Sequence, residues 1–145
     1  MDEISTRKVR NFKNLLSLWS AADSYLFCIF ASAPTRIYSL HEMAEILACA
    51  TGWETSSYEI MQTGERRLQI MRWYNQREGF TSKEDTLPTR FFEQPIADGP
   101  RRGDVLDQHR FDSAIKDFYR MMGWTDAGTV TRTAMVEHHL EDEVD

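Results

Sequence analysis

An aspartate and a cysteine five residues apart are the side chains of this sequence best suited to chemistry. Asp23 and Cys28 lie in an otherwise apolar segment, and Asp23 falls within an apolar stripe of three- and four-residue spacings typical of an amphipathic helix. The stripe contains Val9, Phe12, Leu16, Trp19, Leu26 and Phe30. Burying an unsatisfied polar group costs roughly 2–7 kcal/mol, and a charged one costs more. We therefore expect hydrogen-bond donors to reach Asp23.

The two side chains need not meet the same atom. Five residues of helix turn the chain by about 140°, so Asp23 and Cys28 are predicted to point apart. Cys28 shares its predicted face with three small residues, Ser17, Ala21 and Ser24. This small face is either a helix–helix contact or an uncovered surface for another body. Also open are an ordinary buried role for the Cys28 thiol and a simple ion pair between Asp23 and an arginine.

Length and composition predict one domain. At 145 residues and 41% hydrophobic, the chain can bury a single core and is too short for two ordinary domains. We assign this domain to residues 1–140. The remaining residues, 141–145, read Glu-Asp-Glu-Val-Asp and are predicted to form a disordered acidic tail.

Charge and hydropathy exclude several classes of partner. The net charge of −6 argues against nucleic-acid binding, which needs clustered positive charge. No apolar run approaches the roughly 20 residues of a membrane span, and the first residues lack the pattern of a signal peptide. The two cysteines give no sign of an oxidising compartment, and Cys49 is predicted to be a packing residue. These features predict a cytoplasmic protein without a membrane partner.

Capping and stop signals predict an all-α domain of about five helices. The first helix is expected over residues 6–30 and is closed before Pro34. The others are expected after Ser39, with Gly52 as the stop; after Ser56, with Gly79 as the stop; after Asp107, with Gly123 as the stop; and after Thr131. Residues 80–106 lack periodicity but carry apolar side chains, so we predict a long loop that packs over the helices.

The third predicted helix has a glycine and four arginines. Gly64 in its interior costs up to ~1 kcal/mol relative to alanine, which indicates close approach by a neighbouring backbone. The arginines are Arg66, Arg67, Arg72 and Arg77. In so acidic a chain we expect them to form salt bridges rather than to bind phosphate.

Common catalytic signatures are absent. The sequence has no phosphate-binding glycine loop, no Cys-x-x-Cys pair, no metal-spaced histidine pair and no Gly-x-Ser-x-Gly motif. The residues alone therefore predict a helical domain with one Asp/Cys pair and no catalytic residue.

Six segments of the chain form a distinctive series of motifs: Asp23-Ser-Tyr-Leu-Phe-Cys28, Ala50-Thr-Gly-Trp53, Gly64-Glu-Arg66, Arg72-Trp-Tyr-Asn75-Gln-Arg77-Glu-Gly79, Asp85-Thr-Leu-Pro88-Thr-Arg90-Phe and Phe118-Tyr119 before Gly123-Trp124. In order and spacing, from about Arg10 to Leu140, these motifs resemble the C-terminal part of the tungsten-containing aldehyde ferredoxin oxidoreductases.

The resemblance implies an oxidoreductase with two cofactors. In that family two pterin dithiolenes hold tungsten beside a 4Fe-4S cluster, and the enzyme oxidises aldehydes to carboxylic acids with ferredoxin as electron acceptor. By position, Asp23 matches the aspartate that binds a pterin, and Cys28 matches a cysteine ligand of the cluster. The family motif Asp-x-x-Gly-Leu-Cys has Gly-Leu where this chain has Leu26-Phe27.

Family members also have domains that this chain does not match. An N-terminal domain cradles the pterins (molybdopterin-type cofactors), and a middle domain brings three further cluster cysteines. The resemblance therefore implies a fragment or small subunit that is inactive alone and binds the remaining pterin- and cluster-binding domains. A molybdenum-bearing variant also fits. The alternative function is a cofactor-free helical interaction domain that kept the fold but lost the chemistry.

Overall fold

The computed structural model describes residues 4–28, 30–31 and 38–143, and every regular element within these ranges is helical. The predicted all-α class is confirmed. The helices are α1 (Thr6–Ser24), α2 (Leu40–Thr51), α3 (Ser57–Arg77), α4 (Arg90–Glu93), α5 (Gln108–Met121) and α6 (Arg132–Glu137), followed by one 3-10 turn (Glu141–Glu143). The helix α4 is a single turn inside the predicted loop, and the other five are the predicted helices.

Local capping places most helix ends where the sequence predicts them. The Ser39 hydroxyl accepts a hydrogen bond from the Glu42 N–H at 3.2 Å, and the Glu42 carboxylate accepts one from the Ser39 N–H at 2.6 Å. This reciprocal box begins α2, and Gly52 ends it in the left-handed region at a φ of 74°. At the starts of α5 and α6, the Asp107 and Thr131 side chains each accept one backbone N–H, from Arg110 and Ala134 respectively.

The prediction for the end of the first helix is wrong. It ends at Ser24 rather than near residue 30, because Leu26 adopts a left-handed φ of 58°. Cys28 is therefore not part of the helix, and the angle of about 140° expected for a continuous helix does not apply. Pro34, the predicted stop, lies outside the described residues.

Half of the predicted small face, Ser17 and Ala21 of α1, is a helix–helix contact, and the other half is uncovered. Ser17 and Ala21 are fully buried against α3, where a Cβ added to Gly64 would lie 1.9 Å from the Ser17 carbonyl oxygen. The close backbone approach predicted at Gly64 is confirmed. Ser24 and Cys28, the other residues of that predicted face, are exposed.

The main core is built around α1, α2 and α3. Its buried members are Ala21, Ala22, Met43, Ala44 and Ile60. The helix α2 contributes through Met43 and Ala44 near its start, whereas Ile46 and Cys49, nearer its end, are exposed. The predicted packing role of Cys49 is therefore wrong, since α2 packs through its other side.

The segment 80–106 packs on the helices, as predicted. The Phe92 ring makes an edge contact with Phe111 of α5, with centroids 5.5 Å apart. The Leu106 N–H donates to the Phe91 carbonyl at 3.2 Å, which closes the loop on itself. Phe91 and Ile96, also expected to pack, are exposed instead.

The acidic end begins with the 3-10 turn, and residues 144–145 lie outside the described part of the chain. The division into a domain of residues 1–140 and a disordered tail remains a prediction. None of the described helices combines the length and apolar composition of a membrane span.

Candidate cofactor-binding site

The residues Asp23, Leu26 and Cys28 lie at the C-terminal end of α1, where two backbone hydrogen bonds close the helix. The Phe27 N–H donates to the Ala22 carbonyl at 2.9 Å, and the Leu26 N–H donates to the Asp23 carbonyl at 3.3 Å. This pair of bonds is the Schellman arrangement, which requires a left-handed residue after the cap. The closure fixes the turn that separates Asp23, in the last turn of the helix, from Cys28 in the following segment.

Leu26 occupies the left-handed position of this turn. Glycine is the residue that usually takes it, because an L-residue with a Cβ loses roughly 1–2 kcal/mol there. The Leu26 side chain is 91% exposed, so packing within the described residues does little to offset that cost. Leu26 thus stands where the family motif has glycine, and the backbone still adopts the left-handed turn that glycine favours.

Asp23 forms an ion pair with Arg67 of α3. An Nη1 N–H of Arg67 donates to the Asp23 Oδ2 at 3.0 Å and to the Ser20 carbonyl at 3.3 Å. The Asp23 side chain is 61% exposed, whereas the apolar stripe predicted a buried carboxylate. The arginine pair left open in the sequence analysis is therefore present, and exposed pairs of this kind contribute about 0.2–1 kcal/mol.

Cys28 is exposed, which excludes the buried-thiol role. Neither Cys28 nor Cys49 forms a disulfide. Among the described residues, no group of three or more His, Cys, Asp or Glu side chains is placed to hold a metal ion. A 4Fe-4S cluster is held by four thiolates. Cys28 can therefore supply only one ligand, and the others have to come from elsewhere.

A second polar cluster joins α3, α5 and the segment 80–106. The Arg72 Nη1 lies 2.7 Å from the Asp85 Oδ2, and the Tyr119 hydroxyl donates to the same carboxylate. The Arg72 Nε donates to the Gly128 carbonyl at 2.8 Å, and the guanidinium stacks over the Tyr119 and Trp124 rings. Burial, then the adjacent Asp85, raises the pKa of Tyr119 to about 12. This cluster anchors the loop.

An open groove of about 670 Å³ lies beside this cluster, between α1, α3 and α5. Its walls are mainly apolar and include Phe12, Met71 and Phe118, and Arg72 and Asp85 line its polar part. Asp23 and Cys28 do not line it, so the structure places them apart from this cavity.

A third polar cluster holds the C-terminal helix. Glu65 of α3 forms a close ion pair with Lys13 of α1, and its other oxygen lies 3.9 Å from the His138 Nε2. The Arg66 Nε donates to the His138 carbonyl at 2.8 Å. Burial lowers the pKa of His138, against the opposite influence of Glu65. Sequence analysis missed this cluster, because its members are far apart along the chain.

Comparison with known proteins decides the family. The model of aldehyde ferredoxin oxidoreductase, domains 2 and 3, matches residues 1–140. The chain belongs to the aldehyde ferredoxin oxidoreductase family. The tungsten-containing aldehyde ferredoxin oxidoreductase of Pyrococcus horikoshii is 31% identical over 141 residues, which cover 97% of this chain and 22% of that protein. The enzyme of the same name from Thermococcus kodakarensis is 31% identical over 134 residues, 90% of this chain and 21% of its own length.

A solved structure shares the fold of this family member. It is the active-site complex BamBC of benzoyl coenzyme A reductase with 1,5-dienoyl-CoA, with a TM-score of 0.59 and 17% sequence identity over 72% of this chain and 14% of that one. At this identity the likeness shows the fold alone.

The chain spans about a fifth of the length of its curated relatives, and it corresponds to their C-terminal part.

The structure brings the two predicted site residues to one end of α1 and leaves both exposed. It also adds Arg67, which the sequence identified only as one of four basic residues of α3. Spacing alone could not assign Arg67 to Asp23, because the two residues are 44 positions apart.

Proposed function

We propose that this chain forms part of a tungsten-pterin, iron-sulfur oxidoreductase that oxidises aldehydes to carboxylic acids with ferredoxin as electron acceptor. Asp23 binds a pterin, and Cys28 is one ligand of a 4Fe-4S cluster. The remaining pterin- and cluster-binding domains of the enzyme complete both sites. The observation that carries the proposal is the exposure of both residues, in motif order, at the end of α1 of a family member.

The donor set fits this partial role. Asp23 presents a second carboxylate oxygen, Oδ1, which makes no hydrogen bond within the described part of the chain, and a carboxylate can accept several N–H donors. Cys28 presents an exposed thiol, the ligand type that iron–sulfur clusters require. When bound, the tungsten group supplies the two-electron chemistry that converts the aldehyde and water into the acid.

A second candidate function is a cofactor-free interaction domain. Two observations favour it: Leu26 projects from the position where the family motif has glycine, and Arg67 already satisfies one oxygen of Asp23. This candidate predicts that the domain contacts a partner without contributing to metal binding.

Metal analysis of a chimera separates the two functions. In the chimera, residues 1–140 of this chain replace the matching C-terminal segment of the Pyrococcus horikoshii enzyme. The proposed function predicts stoichiometric tungsten and iron in the purified chimera and aldehyde-dependent reduction of ferredoxin. A folded chimera that contains the pterin-bearing part but lacks iron would favour the interaction domain.

The isolated chain is the reference for this experiment. It supplies too few thiolates for a cluster, so after anaerobic incubation with iron and sulfide it should show no stoichiometric cluster absorbance. A 4Fe-4S cluster on the chain alone would contradict the assignment of the other ligands to the absent domains.

A further inference from the structure

We infer that Arg67 is a positioning residue, which orients the Asp23 carboxylate toward the pterin. This inference rests on the proposed pterin-binding role of Asp23. One nitrogen of Arg67, Nη1, reaches from α3 to the last turns of α1, where it binds both the Ser20 carbonyl and the Asp23 Oδ2. The guanidinium therefore ties the carboxylate to the backbone of its own helix.

The backbone that carries Arg67 is itself held close to α1. Gly64, one helical turn earlier, packs so tightly on α1 that an added Cβ would lie 1.9 Å from the Ser17 carbonyl oxygen and 3.0 Å from the Ala21 nitrogen. Because interior contacts of this density leave little room for sliding, the base of the Arg67 side chain has a fixed distance to Ser20. The Arg67 side chain therefore reaches Asp23 from a fixed starting point on α3.

Arg67 engages one oxygen and leaves the other for a ligand. The Oδ2 accepts the charge-assisted bond at 3.0 Å, while the side chain as a whole remains 61% exposed. Fixing a side chain in advance spares the ordering cost on binding, which corresponds to about two- to tenfold in affinity. An Asp23 without Arg67 has to be ordered by the pterin itself.

The other three arginines of α3 have different partners in the described part of the chain. Arg66 binds the His138 carbonyl, Arg72 binds Asp85 and the Gly128 carbonyl, and Arg77 stacks over Trp73 at 4.8 Å. Arg77 is exposed, so it offers a matched control of the same type on the same helix.

Tungsten retention by the chimera tests the inference. The measurement is the rate of tungsten loss on anaerobic dialysis for wild type, Arg67→Met, Arg67→Lys, Asp23→Asn and the double variant, with Arg77→Met as control. Arg67→Met should lose tungsten about two- to tenfold faster than wild type. Arg67→Lys should recover part of this loss, because it keeps the charge, and Arg77→Met should match wild type.

The double variant separates positioning from general destabilisation. If Arg67 acts through Asp23, then Arg67→Met combined with Asp23→Asn loses tungsten no faster than Asp23→Asn alone, whereas independent effects multiply. This inference alone is overturned if the effects of the two substitutions on tungsten loss multiply. It is also overturned if Arg67→Met retains tungsten as wild type does while Asp23→Asn loses it faster. Wild-type retention by Asp23→Asn overturns the proposed pterin role as well. If the Met variant fails to accumulate, Arg67→Gln, which keeps an N–H donor without the charge, takes its place.

Discussion

Gly64 of α3 lies directly against the Ser17 carbonyl of α1, with no room for a side chain between the two helices. The contact is backbone against backbone, so neither helix can relieve an added methyl group by a rotamer change. This relationship fixes the crossing point of α1 and α3 and thereby the end of α1, where Asp23 lies three residues from Ser20 and Arg67 reaches both.

Gly64→Ala should destabilise the chain. At an open helix site alanine would gain up to ~1 kcal/mol over glycine, but here the added Cβ would lie 1.9 Å from a backbone oxygen. Overpacking of this kind costs typically about 1–3 kcal/mol. Urea denaturation followed by circular dichroism measures the free energy of unfolding, and a gain in stability would contradict the close contact.

Leu26→Gly should stabilise the isolated chain by about 1 kcal/mol, because it removes the left-handed strain and loses a side chain that is 91% exposed. Leu26→Ala is the control, since alanine keeps the Cβ that causes the strain. Equilibrium unfolding compares the three proteins. A loss of stability in the glycine variant would mean that Leu26 packs within the chain.

Acid should weaken the packing of α6 through His138. Burial lowers the pKa of this histidine, Arg66 and Lys13 lower it further, and Glu65 and Glu137 oppose them. A lowered pKa in the folded state means that the unfolded chain takes up the proton first. The contribution of neutral His138 to stability is therefore complete above the ordinary pKa of about 6.5 and declines as pH falls below it.

The check is urea unfolding between pH 8 and pH 5 for wild type and His138→Gln. Wild type should lose more stability than the variant over this interval. A larger loss in His138→Gln, or a gain by wild type on acidification, would show that attraction to Glu65 outweighs burial.

Asp85→Asn should destabilise the chain and release the segment 80–106. It leaves the Arg72 guanidinium, whose side chain is only 10% exposed, without its charged partner. Leaving a buried group without its partner costs about 1–3 kcal/mol, and the 30% exposure of Asp85 keeps the loss below that of a fully buried ion pair. Asp126→Asn is the matched control, because Asp126 pairs with Arg120 at the surface and such pairs contribute about 0–1 kcal/mol. Unfolding and limited proteolysis at the loop report both effects, and equal losses in the two variants would contradict the account.

Sequence predicted those parts of the fold that depend on neighbouring residues. The caps at Ser39 and Asp107 are local, so residue type and spacing are sufficient to identify them. The end of α1 was missed because it depends on a left-handed leucine, and leucine does not signal that conformation as glycine does. The exposure of Cys49 was missed because the side of α2 that packs is set by tertiary contacts.

The roles assigned to Asp23 and Cys28 stay predictions, whereas the contacts around them could be compared with the structure. Asp23 and Cys28 stood out as a carboxylate and a thiol within an apolar segment, and the family motif gave each a role. The ion pair with Arg67 and the cluster of Glu65 with His138 join separate helices, so no local pattern could identify them.

The iron content of cysteine variants of the chimera tests the central claim most directly. Cys28→Ser replaces a thiolate ligand by a hard, weakly acidic hydroxyl, so it should lose the cluster iron and ferredoxin reduction while it retains most tungsten. Cys49→Ser, the exposed control, should keep iron, tungsten and activity at wild-type levels. A full iron complement in Cys28→Ser, or iron loss in Cys49→Ser instead, would contradict the assignment of Cys28 as the cluster ligand.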